Sequence, residues 1–155
     1  MTYPNHKYKG AGALVELHEE RLRSFHRTWK LAKAGGVILP VTDDPDYISM
    51  ETLLVHILRS AGNYMRWICD KLNLADPGIE PVPAPDKVER EAETYIPHII
   101  EKWQKPLINV PEEKFFDAVY KSNWGPEYCI EAMLEHAVMH PVRHEFQLKK
   151  LLAAN

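Results

Sequence analysis

The sequence predicts an all-α fold, a four-helix bundle with a crossover connection. Three observations lead there. Four long segments carry apolar residues at helical spacing, Pro, Gly and Asp punctuate the stretches between them, and strand-like alternation is weak throughout. The connections are long enough to cross over the bundle as well as to turn back.

The first segment, about Ala11 to Ala34, sets Leu14, Leu22, Phe25 and Trp29 on one face, with His18 near its middle, and stops at Gly35 and Gly36. In the loop "VILPVTDDPDYIS" that follows, Pro40 and Pro45 forbid regular helix. Ser49 then caps the second segment, with Glu51 in its first turn. That segment, about Met50 to Leu72, carries Leu53, Leu54, Ile57, Ala61, Tyr64, Met65 and Ile68 on one stripe. After the linker "DPGIEPVPAP", Asp86 with Glu89 three residues on resembles a capping box and opens the third segment, roughly Lys87 to Leu107. Pro97 and Pro106 should bend or shorten it. The stretch "INVPEEKFFDAVYKSNWG" reads as irregular, with "FFDAVY" as its one extended piece. Gly125 and Pro126 then give a proline-first start to the fourth segment, which runs to about Leu152.

A length of 155 residues at 45% hydrophobic content suits one domain, 1–155, around a single core. The net charge is −3, and Lys and Arg are scattered among Asp and Glu without a basic stripe, so no nucleic-acid partner is expected. The start "MTYPNHKYKG" lacks the organisation of a signal peptide, and no apolar run approaches the roughly 18 residues of a membrane span. A cytoplasmic protein with no membrane partner is the expectation. Cys69 and Cys129 lie apart in helical segments and fit reduced thiols at least as well as a disulfide.

The chemistry concentrates in "HAVMHPVRHEFQ", residues 136–147. At about 100° per residue the apolar stripe of the fourth segment passes through Ile130, Met133, Leu134, Ala137, Leu148 and Leu151. His140 and His144 fall inside it, His136 sits at its margin, and Gln147 lies on the His140 side. Two imidazoles four residues apart can chelate one ion, because successive turns stack their side chains. Such a pair binds weakly alone. His56, at the edge of the second segment's stripe with Ser60, Asn63 and Trp67 on its side, is the best third ligand. Three histidines leave a position open, the arrangement of a catalytic site. Pro141 removes the bond to the Ala137 carbonyl and should kink the helix between the two ligands, at about 3 kcal/mol in an ordinary helix.

The plainer reading has equal standing. A histidine on an apolar face is usually a hydrogen-bonded core residue, which is the role expected for His18. Solvated or incidental roles are expected for His6, His26, His98 and His136. For His140 and His144 the spacing alone divides evenly between core residues and ligands.

The chain resembles the DinB-like superfamily of metal-binding four-helix bundles over most of its length. Two stretches carry the likeness: "METLLVHILRSAGNYMRWI", with a His after an apolar run and a Trp eleven residues later, and "LEHAVMHPVRHEFQLKKLL", with HxxxH followed three residues on by Gln. The resemblance implies that His56, His140 and His144 bind a divalent metal. Many relatives have Arg directly after the last ligand. Here Glu145 stands there and Arg143 precedes His144, so no role for that arginine carries over. Some relatives transfer low-molecular-weight thiols to electrophiles or isomerise a substrate with thiol help.

The expected function is therefore a metal-dependent enzyme that transfers a low-molecular-weight thiol to a small electrophilic substrate. Asn63, Gln147, Trp67 and His18 are candidates to orient ligands or line the pocket. Zinc, nickel, copper or iron suits three imidazoles. Two alternatives stand beside it. One is a metal-dependent hydrolase, disfavoured because Glu135 and Glu145 turn away from the histidine face. The other is a non-catalytic bundle. A homodimer is compatible with either class.

Overall fold

A computed structural model describes residues 4–155. Four helices, α1 (Lys9–Ala34), α2 (Met50–Lys71), α3 (Pro85–Trp103) and α4 (Ile130–Ala154), make up most of it, with one two-stranded sheet, β1 (Tyr120–Lys121) and β2 (Glu127–Tyr128). Short 3-10 turns lie at Pro45–Tyr47 and Glu112–Phe115. The fold is thus a mostly helical bundle, as the periodicity predicts.

The helix ends follow from local chemistry, and both ends of α3 and the start of α4 differ from the expectation. α1 ends at Gly35, with Gly36 at φ 71 in the left-handed region that glycine enters freely. Ser49 caps α2 as expected, and its partner in a full capping box is Thr52. Asp86 does not cap α3: Ala84 holds that position and Pro85 opens the helix, whose missing N–H would be unpaired there anyway. Asp86 instead places a carboxylate in the first turn, where the helix dipole favours it. α3 passes through Pro97 and stops at Trp103, short of Leu107.

The start of α4 is the larger correction. Pro126 does not begin it, because its carbonyl accepts the Ser122 N–H at 2.9 Å and closes a hairpin. Tyr120 pairs with Tyr128 and Lys121 with Glu127, around a turn in which Gly125 sits at φ 116. Cys129 becomes the cap, its Sγ accepting from the Ala132 N–H at 3.5 Å. The extended piece expected in "FFDAVY" survives only at its last residue, Tyr120. α4 then runs unbroken through Pro141, whose ring is buried.

α1 packs chiefly along α4, and α2 packs against α3 and α4. Their apolar faces supply Leu22, Phe25 and Trp29; Leu54, Ile57 and Met65; Ile99 and Trp103; and Met133, Leu134 and Ala137 to one core. Two indoles pin neighbouring helices: Trp29 Nε1 donates to the Met50 carbonyl at 2.6 Å and Trp103 Nε1 to the Ala61 carbonyl at 3.0 Å. Glu145 faces α1. Its carboxylate accepts from Ser24 at 2.8 Å and Thr28 at 2.9 Å and pairs with Lys149 at 2.7 Å. Among the described residues both cysteines are free thiols, and no helix is long and apolar enough to cross a membrane.

Three histidines assigned to solvent or to hydrogen bonds sit otherwise. His6 and His26 are buried. His18 is a core residue as expected but not a hydrogen-bonded one. Its ring stacks on Trp103 at 3.6 Å and 7°, and neither nitrogen has a partner among the described residues. Burial drives its pKa down to about 3, so the ring stays neutral.

Two predictions follow from this packing. Glu145→Ala strips two hydroxyls of their acceptor and should lower the unfolding free energy by about 1–3 kcal/mol in urea titrations. Lys33 joins three helices, pairing with Glu51 of α2 and with Glu89 of α3. The Lys33 hydrogen bond holds the Glu51 carboxyl below its ordinary range against the opposing effect of burial. A depressed carboxylate stabilises the fold above its unfolded pKa of about 4.3, and that stability is lost as pH falls through the folded value. Both side chains are partly exposed, so Lys33→Met should cost under about 1 kcal/mol at pH 7 and nothing at pH 2.

Candidate metal centre

His56 from α2 and His140 and His144 from α4 converge, one ligand atom of each lying within 4.8 Å of the other two. Helical spacing stacks His140 and His144 on successive turns, with ring centroids 4.9 Å apart. The packing of α2 on α4 brings His56 to 4.8 Å from the first ring and 5.4 Å from the second. All three pairs are steeply inclined, at 64°, 80° and 84°, so the rings do not stack on one another.

Outer partners settle which nitrogens face inward. Asp46 Oδ2 lies 2.9 Å from His56 Nδ1, and an ionised carboxylate can only accept, so Nδ1 carries the proton. Gln147 Oε1 plays the same part for His144 Nδ1 at 3.1 Å. Nε2 of both rings is then left with a lone pair. His56 Nε2 lies 3.0 Å from His140 Nε2. At that distance one nitrogen carries the hydrogen that the other accepts, and a neutral His140 can supply it from Nε2.

Burial keeps His140 and His144 neutral. Burial first, then the neighbouring imidazoles and Arg143, push the His140 pKa far below its ordinary value. Burial and His56 lower His144 to about 4, against a smaller opposing effect of Gln147. Neutral imidazoles are what a divalent ion needs. Nitrogens on one tetrahedral zinc lie about 3.3 Å apart, given Zn–N bonds of about 2.0–2.1 Å. The 3.0 Å pair already has nearly that spacing, and three nitrogens from two helices match a three-histidine donor set.

Asp46 and Tyr47 were not singled out in the sequence. Both belong to the 3-10 turn Pro45–Tyr47, which Asp44 caps by accepting from the Asp46 N–H. The turn packs on α2 and is tied there by Arg59, 2.7 Å from Asp46 Oδ1. Burial opposes ionisation of Asp46, but Arg59 and His56 outweigh it and hold its carboxyl below the usual range. Tyr47 places its hydroxyl 3.3 Å from His144 Nε2. Burial, with Asp44 and Asp46, raises its pKa and keeps it protonated. The available signal was "DPDY" itself, a capped proline turn ten residues ahead of His56.

The triad separates two cavities. One, of about 560 Å³, reaches His144, Tyr47 and Gln147 and is walled mainly by leucines. The other, of about 360 Å³, reaches His56 and His140 and is lined by Asn63, Asn123, Tyr64, Trp67 and Trp124. His136, expected to be incidental, lines this second cavity and packs among aromatics, its ring 5.4 Å from Trp124 and 5.5 Å from Tyr64. Of the predicted supporting residues, Asn63 and Trp67 line this cavity and Gln147 holds a ligand ring, whereas His18 lies in the core away from both cavities. Glu135 is exposed and Glu145 is engaged by α1, so neither carboxylate serves the triad.

Comparison with protein-family models, with curated proteins and with solved structures gave no match.

Asp46→Asn keeps the shape of the side chain while removing the charge that fixes His56. It should weaken zinc binding by about 10–100-fold in competition with a chromogenic chelator. Tyr47→Phe, which removes no proposed ligand, should leave zinc affinity within about threefold, since that hydroxyl lies outside the donor set.

Proposed function

We propose that this chain is a DinB-like metal-dependent enzyme that joins a low-molecular-weight thiol to a small electrophile. The convergence of three imidazoles between two cavities carries the proposal. The pairing of α1 with α4 and of α2 with α3 supports the crossover arrangement of that fold. His56, His140 and His144 would hold a divalent ion. A bound ion of this kind supplies Lewis acidity, which lowers the pKa of a thiol or water at its open side.

The chain's own residues do the rest. Asp46 and Gln147 fix two ligand rings, and the protonated Tyr47 hydroxyl offers a hydrogen bond beside His144. Asn63 and Asn123 line the second cavity with amides suited to a hydrophilic thiol. The thiol gives its proton to solvent, its sulfur forms a bond to the electrophilic carbon, and the leaving group departs with the bonding pair and takes up a proton. Neither cysteine is required. Burial pushes the Cys69 thiol up to about 11, and Cys129 is committed as a helix cap.

Hydrolysis draws less support, because it calls for a free carboxylate near the triad. Asp46 is committed to His56 and Arg59, and Glu145 to Ser24, Thr28 and Lys149.

Elemental analysis of untagged protein should find one equivalent of a divalent metal, and His140→Ala should lose it. Turnover of a chromogenic aryl halide should require added thiol. Thiol-independent ester cleavage would move the assignment to hydrolysis, and metal-free protein after anaerobic purification would leave a non-catalytic bundle.

A further inference from the structure

The two cavities beside the triad differ in chemistry, and this difference separates two reactants. The larger, of about 560 Å³, lies within the range of small-molecule sites, roughly 300–1,000 Å³. Leu39, Leu53, Leu148 and Leu151 wall it with hydrocarbon, and its inner end is formed by His144, Tyr47 and Gln147. Its charged lining residues, Asp44 and Lys150, are opposite in sign and select for neither an anion nor a cation. Ile38 and Val41, flanking Leu39 and Pro40 in the chain, are 86% and 102% exposed. An apolar guest would therefore meet hydrocarbon both inside the cavity and along the loop at its edge.

We propose that this cavity seats a neutral, apolar small molecule, with its reacting end toward Tyr47 and His144. Along the leucine wall a hydrophilic thiol would lose its hydration with few replacement hydrogen bonds, whereas the amides of the opposite cavity supply more of them. Resting on the thiol-transfer reading, the apolar guest is the electrophile. The class is then a hydrophobic alkyl or aryl compound carrying its leaving group at one end. The reactants reach the triad from opposite sides, so neither has to leave before the other binds.

The test titrates N-phenyl-1-naphthylamine, a neutral apolar fluorophore, into the 155-residue chain as purified. Saturable one-site binding with enhanced emission is expected. Leu39→Asp, which puts a charge into the wall from a loop position, should weaken it at least tenfold. Leu151→Trp, which narrows the cavity without adding charge, should also weaken it, with unchanged thermal unfolding showing that both variants fold. Trp124→Ala and Asn63→Leu, in the opposite cavity, should leave the affinity unchanged. Absence of saturable binding overturns the assignment, as does binding that ignores both leucine changes or is lost in Trp124→Ala. His140→Ala separates the two proposals: dye binding retained without metal supports the apolar seat whether or not the metal reading holds. Metal retained in that variant refutes the ligand set and leaves the apolar seat standing.

Discussion

The contact of His56 Nε2 with His140 Nε2, 3.0 Å across the seam between α2 and α4, is the interaction around which the site is arranged. Asp46 accepts the Nδ1–H of His56, Gln147 accepts that of His144, and burial denies His140 a charge of its own. The bundle thereby gathers three imidazoles that could hold a metal ion. The packing of α2 against α4 brings His56 to this pair, and the turn at Pro45–Tyr47 brings Asp46 to His56.

The scaffold also anchors α4 on its other side. Glu145 follows directly after the ligand His144 and is clamped to α1 by Ser24 and Thr28. Adjacent residues on a helix point about 100° apart, so a fixed Glu145 limits how far the His144 backbone can turn. Glu145 thus has a structural task, holding the helix that carries His140 and His144 to α1.

Helical periodicity made the bundle legible. Every stripe residue named for the second segment is buried, and His140 and His144 fall where a 3.6-residue repeat puts them. Boundaries were harder, because Pro126 and Asp86 carry helix-start chemistry that stronger partners override. The Pro126 carbonyl is taken by the hairpin, and Pro85 lies one residue ahead of Asp86. Asp46, Tyr47 and His136 escaped the sequence reading for another reason. Their roles depend on where loops fold back over the helices, and that contact between distant parts of the chain has no periodic signature.

The division of labour between helices and connections has an evolutionary corollary. The three converging histidines come from α2 and α4, whereas Leu39, Pro40, Asn123 and Trp124 at the cavities come from segments between helices. Connections tolerate insertion and exchange far better than packed helices do. Changes in these connections can therefore reshape either cavity while the histidine cluster is left intact, provided that the short Asp46 turn is kept.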